Sequence, residues 1–207
     1  MTGMLDHLSA ALVGGVILLL LLSMTTHQSE VAMERTALYA AKAHLLSFTQ
    51  WLEEDIDVVG LNIGERHHRF AAPEDQDGVT RRFTFYRDSI TVMRDTVRVV
   101  TRYDVEPTAE TFLVRGEELP LLTLRRSVAY LTPGQSASTA LWQTAGAGPS
   151  TLTAFSVDML RRDGAAVGSP AETDLIRVRF AVAAALTQEN AFLREFHWTT
   201  TKRVRPI

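Results

Sequence analysis

A chain of 207 residues, 46% of them hydrophobic, with a formal net charge of −3, has room for one domain of ordinary size plus an appendage. With 21 basic residues against 24 acidic ones, and no basic run interleaved with aromatics, nothing directs it towards nucleic acid. It has no cysteine, which excludes disulfide frameworks, thiolate metal sites and cysteine nucleophiles.

The chain begins with an apolar stretch. Leu8 to Met24 carries no charge, and the sequence beyond it keeps a helical rhythm with no proline before Pro73. One helix from Leu8 to Val59 would be about 75 Å long, more than twice the ~30 Å of a bilayer core, so one end can sit in lipid while the other leaves it. No Lys or Arg precedes Arg35, whereas Glu30, Glu34, Arg35 and Lys42 follow Thr26. A cleaved signal peptide is the competing reading, but Met1 to His7 has no basic residue and Thr25 to Gln28 makes a poor exit site. A retained anchor is therefore expected, and five consecutive leucines, Leu18 to Leu22, argue against a buried soluble helix. So few flanking charges leave its orientation open.

Within this segment Ala10 and Gly14, and likewise Ala11 and Gly15, stand four apart, with Leu18 and Leu22 continuing the faces. Small residues at that spacing let helices approach closely in lipid; equally, Gly and Ala are simply tolerated there. Gly14 and Gly15 also mark the expected place for a bend.

After the membrane segment, Leu38, Ala41, Leu45, Phe48, Leu52 and Ile56 form one apolar stripe that should lie on a sheet or bundle. Glu53, Glu54, Asp55 and Asp57 crowd the helix end and oppose its dipole, so they are expected to face water or a partner. Gly60, Asn62 and Gly64 supply the stop. Three regions result: 1–29 with the transmembrane half of the helix, 30–59 with the amphipathic half, and 60–207 as a β-rich head.

From Leu61 to Gly78 the sequence reads as a surface loop. Period-two alternation then appears around Phe83 and Phe85 and around Val97 to Arg102, with further runs at Thr111 to Val114, Leu121 to Leu131, Leu152 to Leu160, Leu175 to Val182 and Arg194 to Val204. About seven strands, with turn signals such as Asp163-Gly164, describe an antiparallel sheet. Ala181 to Gln188 fits a strand or a short helix. Thr132 to Ser150, rich in Gly, Ser, Thr and Ala, reads as a mobile loop whose Trp142 is expected to fold back into the core. The fold class is thus α+β: a long N-terminal helix packed on an antiparallel head.

Candidate chemistry is sparse. His67 and His68, near Glu65, lack the spacing of a metal motif, because adjacent side chains on an extended loop point apart. Asp75, Asp77 and Gly78 imitate a fragment of a calcium loop without its remaining ligands and read better as a polar turn. No nucleophile elbow, phosphate loop or dinucleotide fingerprint occurs. No enzyme, cofactor or small-molecule substrate is indicated.

The arrangement resembles the type IV pilin-like proteins, in particular minor pseudopilins of type II secretion and minor pilins, of the larger J and W types. Three features carry the resemblance: the helix with its late Trp51-Leu52-Glu53-Glu54-Asp55 segment; the Phe83 to Asp88 strand followed by Val99 to Tyr103 and Leu122 to Arg126; and Phe155 to Asp158 leading through Asp163-Gly164 to Ile176 to Phe180 and a final strand. It implies a bacterial inner-membrane protein with its head in the periplasm or outside, built through helix contacts with other pilin-like subunits. Gly3-Met4 resembles the family's processing junction, but no basic residue precedes it, and Leu8 stands where such chains carry a glutamate. The resemblance therefore implies a minor or tip-like subunit. The alternative is a signal-anchored envelope protein whose head binds a partner without joining a filament.

Overall fold

The computed structural model describes residues 2–64, 69–90, 96–114, 117–132, 135–184 and 194–204. A single helix, α1, runs Thr2–Asp57, and its 56 residues make it about 84 Å long. It passes unbroken through Gly14 and Gly15, where a bend was expected. Within 11–26 the reason is composition, an uncharged run with no proline whose leucines are strong helix formers. Beyond, Ala32, Ala37, Ala40, Ala41 and Ala43 give the strongest helix propensity available. The stop is local: Gly60 at φ +71° and Asn62 at φ +59° adopt the left-handed backbone that ends helices.

The head is an eight-stranded antiparallel sheet: β1 (Glu74–Gln76), β2 (Val79–Ile90), β3 (Thr96–Val114), β4 (Glu117–Leu131), β5 (Gln143–Ala147), β6 (Leu152–Leu160), β7 (Leu175–Ala184) and β8 (Arg194–Arg203). Their order is β1-β2-β3-β4-β6-β7-β8, with β5 also paired to β4. β5 and β6 share one edge of β4, β5 through residues 125–128 and β6 through Leu122 opposite Leu152. The Val157 amide also donates to Thr80 Oγ1 at 2.9 Å, which holds β6 against the start of β2.

The sheet differs from the sequence expectation in four places. Thr111 to Val114 is no separate strand but the end of the 19-residue β3, because a register shift between Pro107 and Thr111 absorbs the proline. The stretch expected to be wholly loop before Phe83 contains β1, turned into β2 by Asp77 (φ +54°) and Gly78 (φ +76°), the backbone pair of a tight two-residue hairpin. The expected mobile loop of Thr132 to Ser150 contains a 3-10 turn at Ala137–Thr139 and the strand β5. Residues 181–184 belong to β7, while 185–188 lie outside the described residues.

The core is built where α1 crosses the sheet. Phe48, Leu52, Ile56 and Val59 meet Phe83, Phe85, Tyr103, Leu122, Leu124, Phe155, Val178 and Phe180. Each fully buried apolar side chain is worth about 1.5–3 kcal/mol, so this last part of the helix is fixed by the head. Leu45 packs at the margin of the cluster. Leu38 and Ala41 lie outside it, because the apolar stripe continues towards the N-terminus for longer than the sheet beneath it.

Candidate functional site

Two parts of α1 behave differently, and their junction is the site of interest. Among the described residues, none from 11 to 47 is buried. Leu18 to Leu22 are each between 59% and 67% exposed, and Leu12, Met24, Met33, Tyr39 and Leu46 are exposed as well. Ala11, Gly14, Gly15, Leu18 and Leu22 therefore have no partner from the head, and a Cβ added to Gly14 or Gly15 would meet nothing within 4 Å. Gly3, Met4 and Ala10 belong to the same helix by their backbone. By length and composition the helix can cross a membrane.

From Phe48 onward the helix is fastened by polar bonds as well as by packing. Asp55 is buried. Its carboxylate accepts two hydrogen bonds from Arg126 of β4, from Nε at 2.5 Å and Nη2 at 2.7 Å, and a third from the Tyr103 hydroxyl of β3. The Trp51 ring lies 5.6 Å from the Arg126 guanidinium carbon and packs edge-on to Tyr103 at 5.9 Å. Burial above all, then the Asp55 charge and hydrogen bond, push the Tyr103 phenol well above its ordinary value, which keeps the hydroxyl protonated as a donor. The bond to Asp55 raises Arg126 above its usual value against the opposing effect of burial. Asp57 is paired as well, with Lys202 of β8 at 3.0 Å.

The acidic cluster is thus corrected. Asp55 is buried against the sheet instead of facing water, while Glu54 is exposed and accepts a hydrogen bond from Gln50. The reason is helical phase: Asp55 stands three residues after Leu52 and seven after Phe48, on the buried side. No basic residue occupies the last turn of α1; Arg126 and Lys202 bring from the sheet the positive charge that a helix C-terminus favours.

Trp142 also departs from expectation. It is half-buried, with the Arg102 guanidinium 4.1 Å over its ring. Arg102 points to the face of β3 opposite Tyr103, so Trp142 covers the back of the sheet and takes no part in the core under the helix. A cleft of about 300 Å3 opens at the junction itself, between His44, Ser47, Phe48 and Trp51 of α1 and residues 145–149 at the end of β5.

Among the described residues no group of three or more His, Asp or Glu is placed to hold a metal ion. Asp75 accepts from the Thr80 hydroxyl at 2.6 Å, and Asp77-Gly78 forms the hairpin turn. Glu65, His67 and His68 lie outside the described residues. Comparison of the chain with protein-family models, with curated proteins and with solved structures finds no match.

Proposed function

We propose that the chain is a non-enzymatic structural subunit of the type IV pilin-like kind, a minor or tip-like pilin or pseudopilin anchored in the membrane before assembly. The observation that carries this reading is the division of one continuous helix. Residues 48–57 are locked into the head with Leu45 at the margin, and among the described residues the apolar side chains of 11–44 take no part in the core. At ~25 cal/mol per Å2 of apolar area, such a segment leaves lipid only if the helices of other subunits replace it. Gly14 and Gly15 let those helices approach closely.

Because a Cβ at Gly14 or Gly15 meets nothing within 4 Å and leucine improves helix propensity, G14L and G15L are expected to perturb chiefly what packs on the helix from outside the subunit. Both variants should reach the membrane in normal amount yet lose co-purification with partner subunits. Sheared surface material should contain the wild type. A protein that stays with the membrane on shearing, and whose associations survive both substitutions, is instead a simple anchored envelope module.

A further inference from the structure

On the part of α1 outside the core, charge is not spread evenly around the helix. A line from Ala11 through positions alternately four and three residues on passes Gly15, Leu18 and Leu22. It continues by the same steps through Tyr39 and Leu46 to Gln50 without meeting a charged residue. Every position on that line is exposed, Tyr39 by 74% and Leu46 by 59%. The charges of the same stretch, Glu30, Glu34, Arg35 and Lys42, all lie off it, and the line ends where its next two positions are Glu53 and Asp57.

A seven-residue repeat of this kind is the seam of a two-stranded coil, in which left-handed supercoiling keeps the stripe against its partner. From Ala11 to Gln50 it covers more than five heptads, beyond the three or four that mark a coiled coil. Its place on the helix suits that role. The midline of Phe48 and Leu52, which the head buries, lies roughly 160° around the helix from the midline of Leu46 and Gln50, so two heads would stand on the outside of such a pair. The threonines of the stripe can be covered without loss. Thr25 and Thr36 donate their hydroxyls to the Leu22 and Ala32 carbonyls of their own helix, at 2.8 and 2.9 Å, which leaves no unmet donor.

We propose that the stripe from Ala11 to Gln50 is a pairing surface for a second copy of this chain, held parallel and in register. Two copies anchored in one bilayer enter it from the same end, so like positions meet. A residue that meets its own kind is repelled where it is charged, and no residue of the stripe is. Arg35 and Lys42 flank one side of the seam and, in a parallel pair, face the uncharged Ala40 and Ser47 of the second copy. Gly15, Ala32 and Ala43 let the two backbones approach closely. The inference rests on α1 being a membrane anchor and not on the filament reading, since any protein held by this helix presents the same stripe.

The chain has no cysteine, so single cysteines can be placed one at a time from Ser29 to Leu46 in the full chain and oxidised in liposomes at low protein density. Disulfide-linked dimers should form at Ser29, Ala32, Thr36, Tyr39, Ala43 and Leu46 at least tenfold faster than at Glu30, Glu34, Ala37 and Ala41. Sedimentation of the wild type in density-matched micelles should give the protein mass of two chains. Thr36→Lys combined with Ala43→Lys should raise the dissociation constant at least tenfold and leave the thermal midpoint of the head unchanged, whereas Glu30→Lys should change neither.

Equal rates of cross-linking all around the helix, fastest cross-linking at Glu34 and Ala41, or a monomeric mass in micelles overturns the proposal. Cross-linking along the stripe by a protein that is absent from sheared material would support the pair and count against the filament reading alone.

Discussion

Replacing Arg126 by methionine should loosen the head from its helix more than any other charged-to-apolar change of similar size, because its side chain is only 15% exposed. The substitution keeps much of the side-chain volume and removes the cation that makes the 2.5 and 2.7 Å hydrogen bonds to Asp55. Asp55 is only 6% exposed, so its charge is left with the Tyr103 hydroxyl and little water. Breaking a buried pair by deleting one partner costs about 3–5 kcal/mol, chiefly from the uncompensated charge. Asp55→Asn in the same background removes that charge, and the double variant should recover part of the loss. The expected coupling is about 2–3 kcal/mol, at the upper end for residues in direct contact. Denaturant unfolding of the full chain in micelles, followed by tryptophan fluorescence with Trp51 close to Arg126, measures all four corners of the cycle. A loss below about 1 kcal/mol for Arg126→Met, or strictly additive effects, would refute the view that a buried ion pair fastens the helix, because exposed pairs are worth no more than that.

The alkaline limb of stability should belong largely to Tyr103. Its folded pKa lies well above the ordinary value, so the contribution is fully present below the unfolded pKa of about 10 and is lost as pH rises beyond it, when only the unfolded state releases the proton. Tyr103→Phe should flatten that limb in a pH series of unfolding midpoints, and an unchanged slope would assign it elsewhere. At Gly148 a Cβ would stand 2.9 Å from Leu124 Cβ and 3.5 Å from Phe48, so Gly148→Ala should cost about 1–3 kcal/mol by overpacking, whereas Gly168→Ala meets open space and should be near neutral by the same assay. Gly60→Ala combines a φ of +71° with a contact of 2.6 Å to Arg69 Cδ and should lower the midpoint through backbone strain; equal midpoints for Gly60→Ala and Gly64→Ala would count against it.

The long helix and most strands were legible because they rest on period and punctuation: Leu8 to Met24, the Phe48-Leu52-Ile56 stripe, the Gly60 stop and the alternation around Phe83 and Val99. Asp77-Gly78 was legible in principle as a hairpin signal, but β1 is too short to show a period. β5 could not be read from Gln-Thr-Ala-Gly-Ala, whose strand propensity is low; pairing with β4 imposes its conformation. The anchorage was obscured for a different reason. Asp55 sits among three other carboxylates in the sequence, and only its helical phase separates it from Glu54 and Asp57. Its partners Tyr103 and Arg126 are 48 and 71 residues away, a distance no local pattern spans. Trp142 was likewise drawn to Arg102 on the back of the sheet by a cation–π contact that composition does not announce.

One rod joining the apolar segment to the head is what the proposed function requires. Since the chain has no cysteine, single cysteines at Ser23 and Glu54, both exposed, can carry a pair of spin labels in the full chain in lipid nanodiscs. A continuous helix places those backbone positions about 46 Å apart and predicts one narrow distance distribution near that value. A broad distribution centred at shorter distances would mean that Thr25 to Ser29 is a tether and that the head is independent of the segment before it.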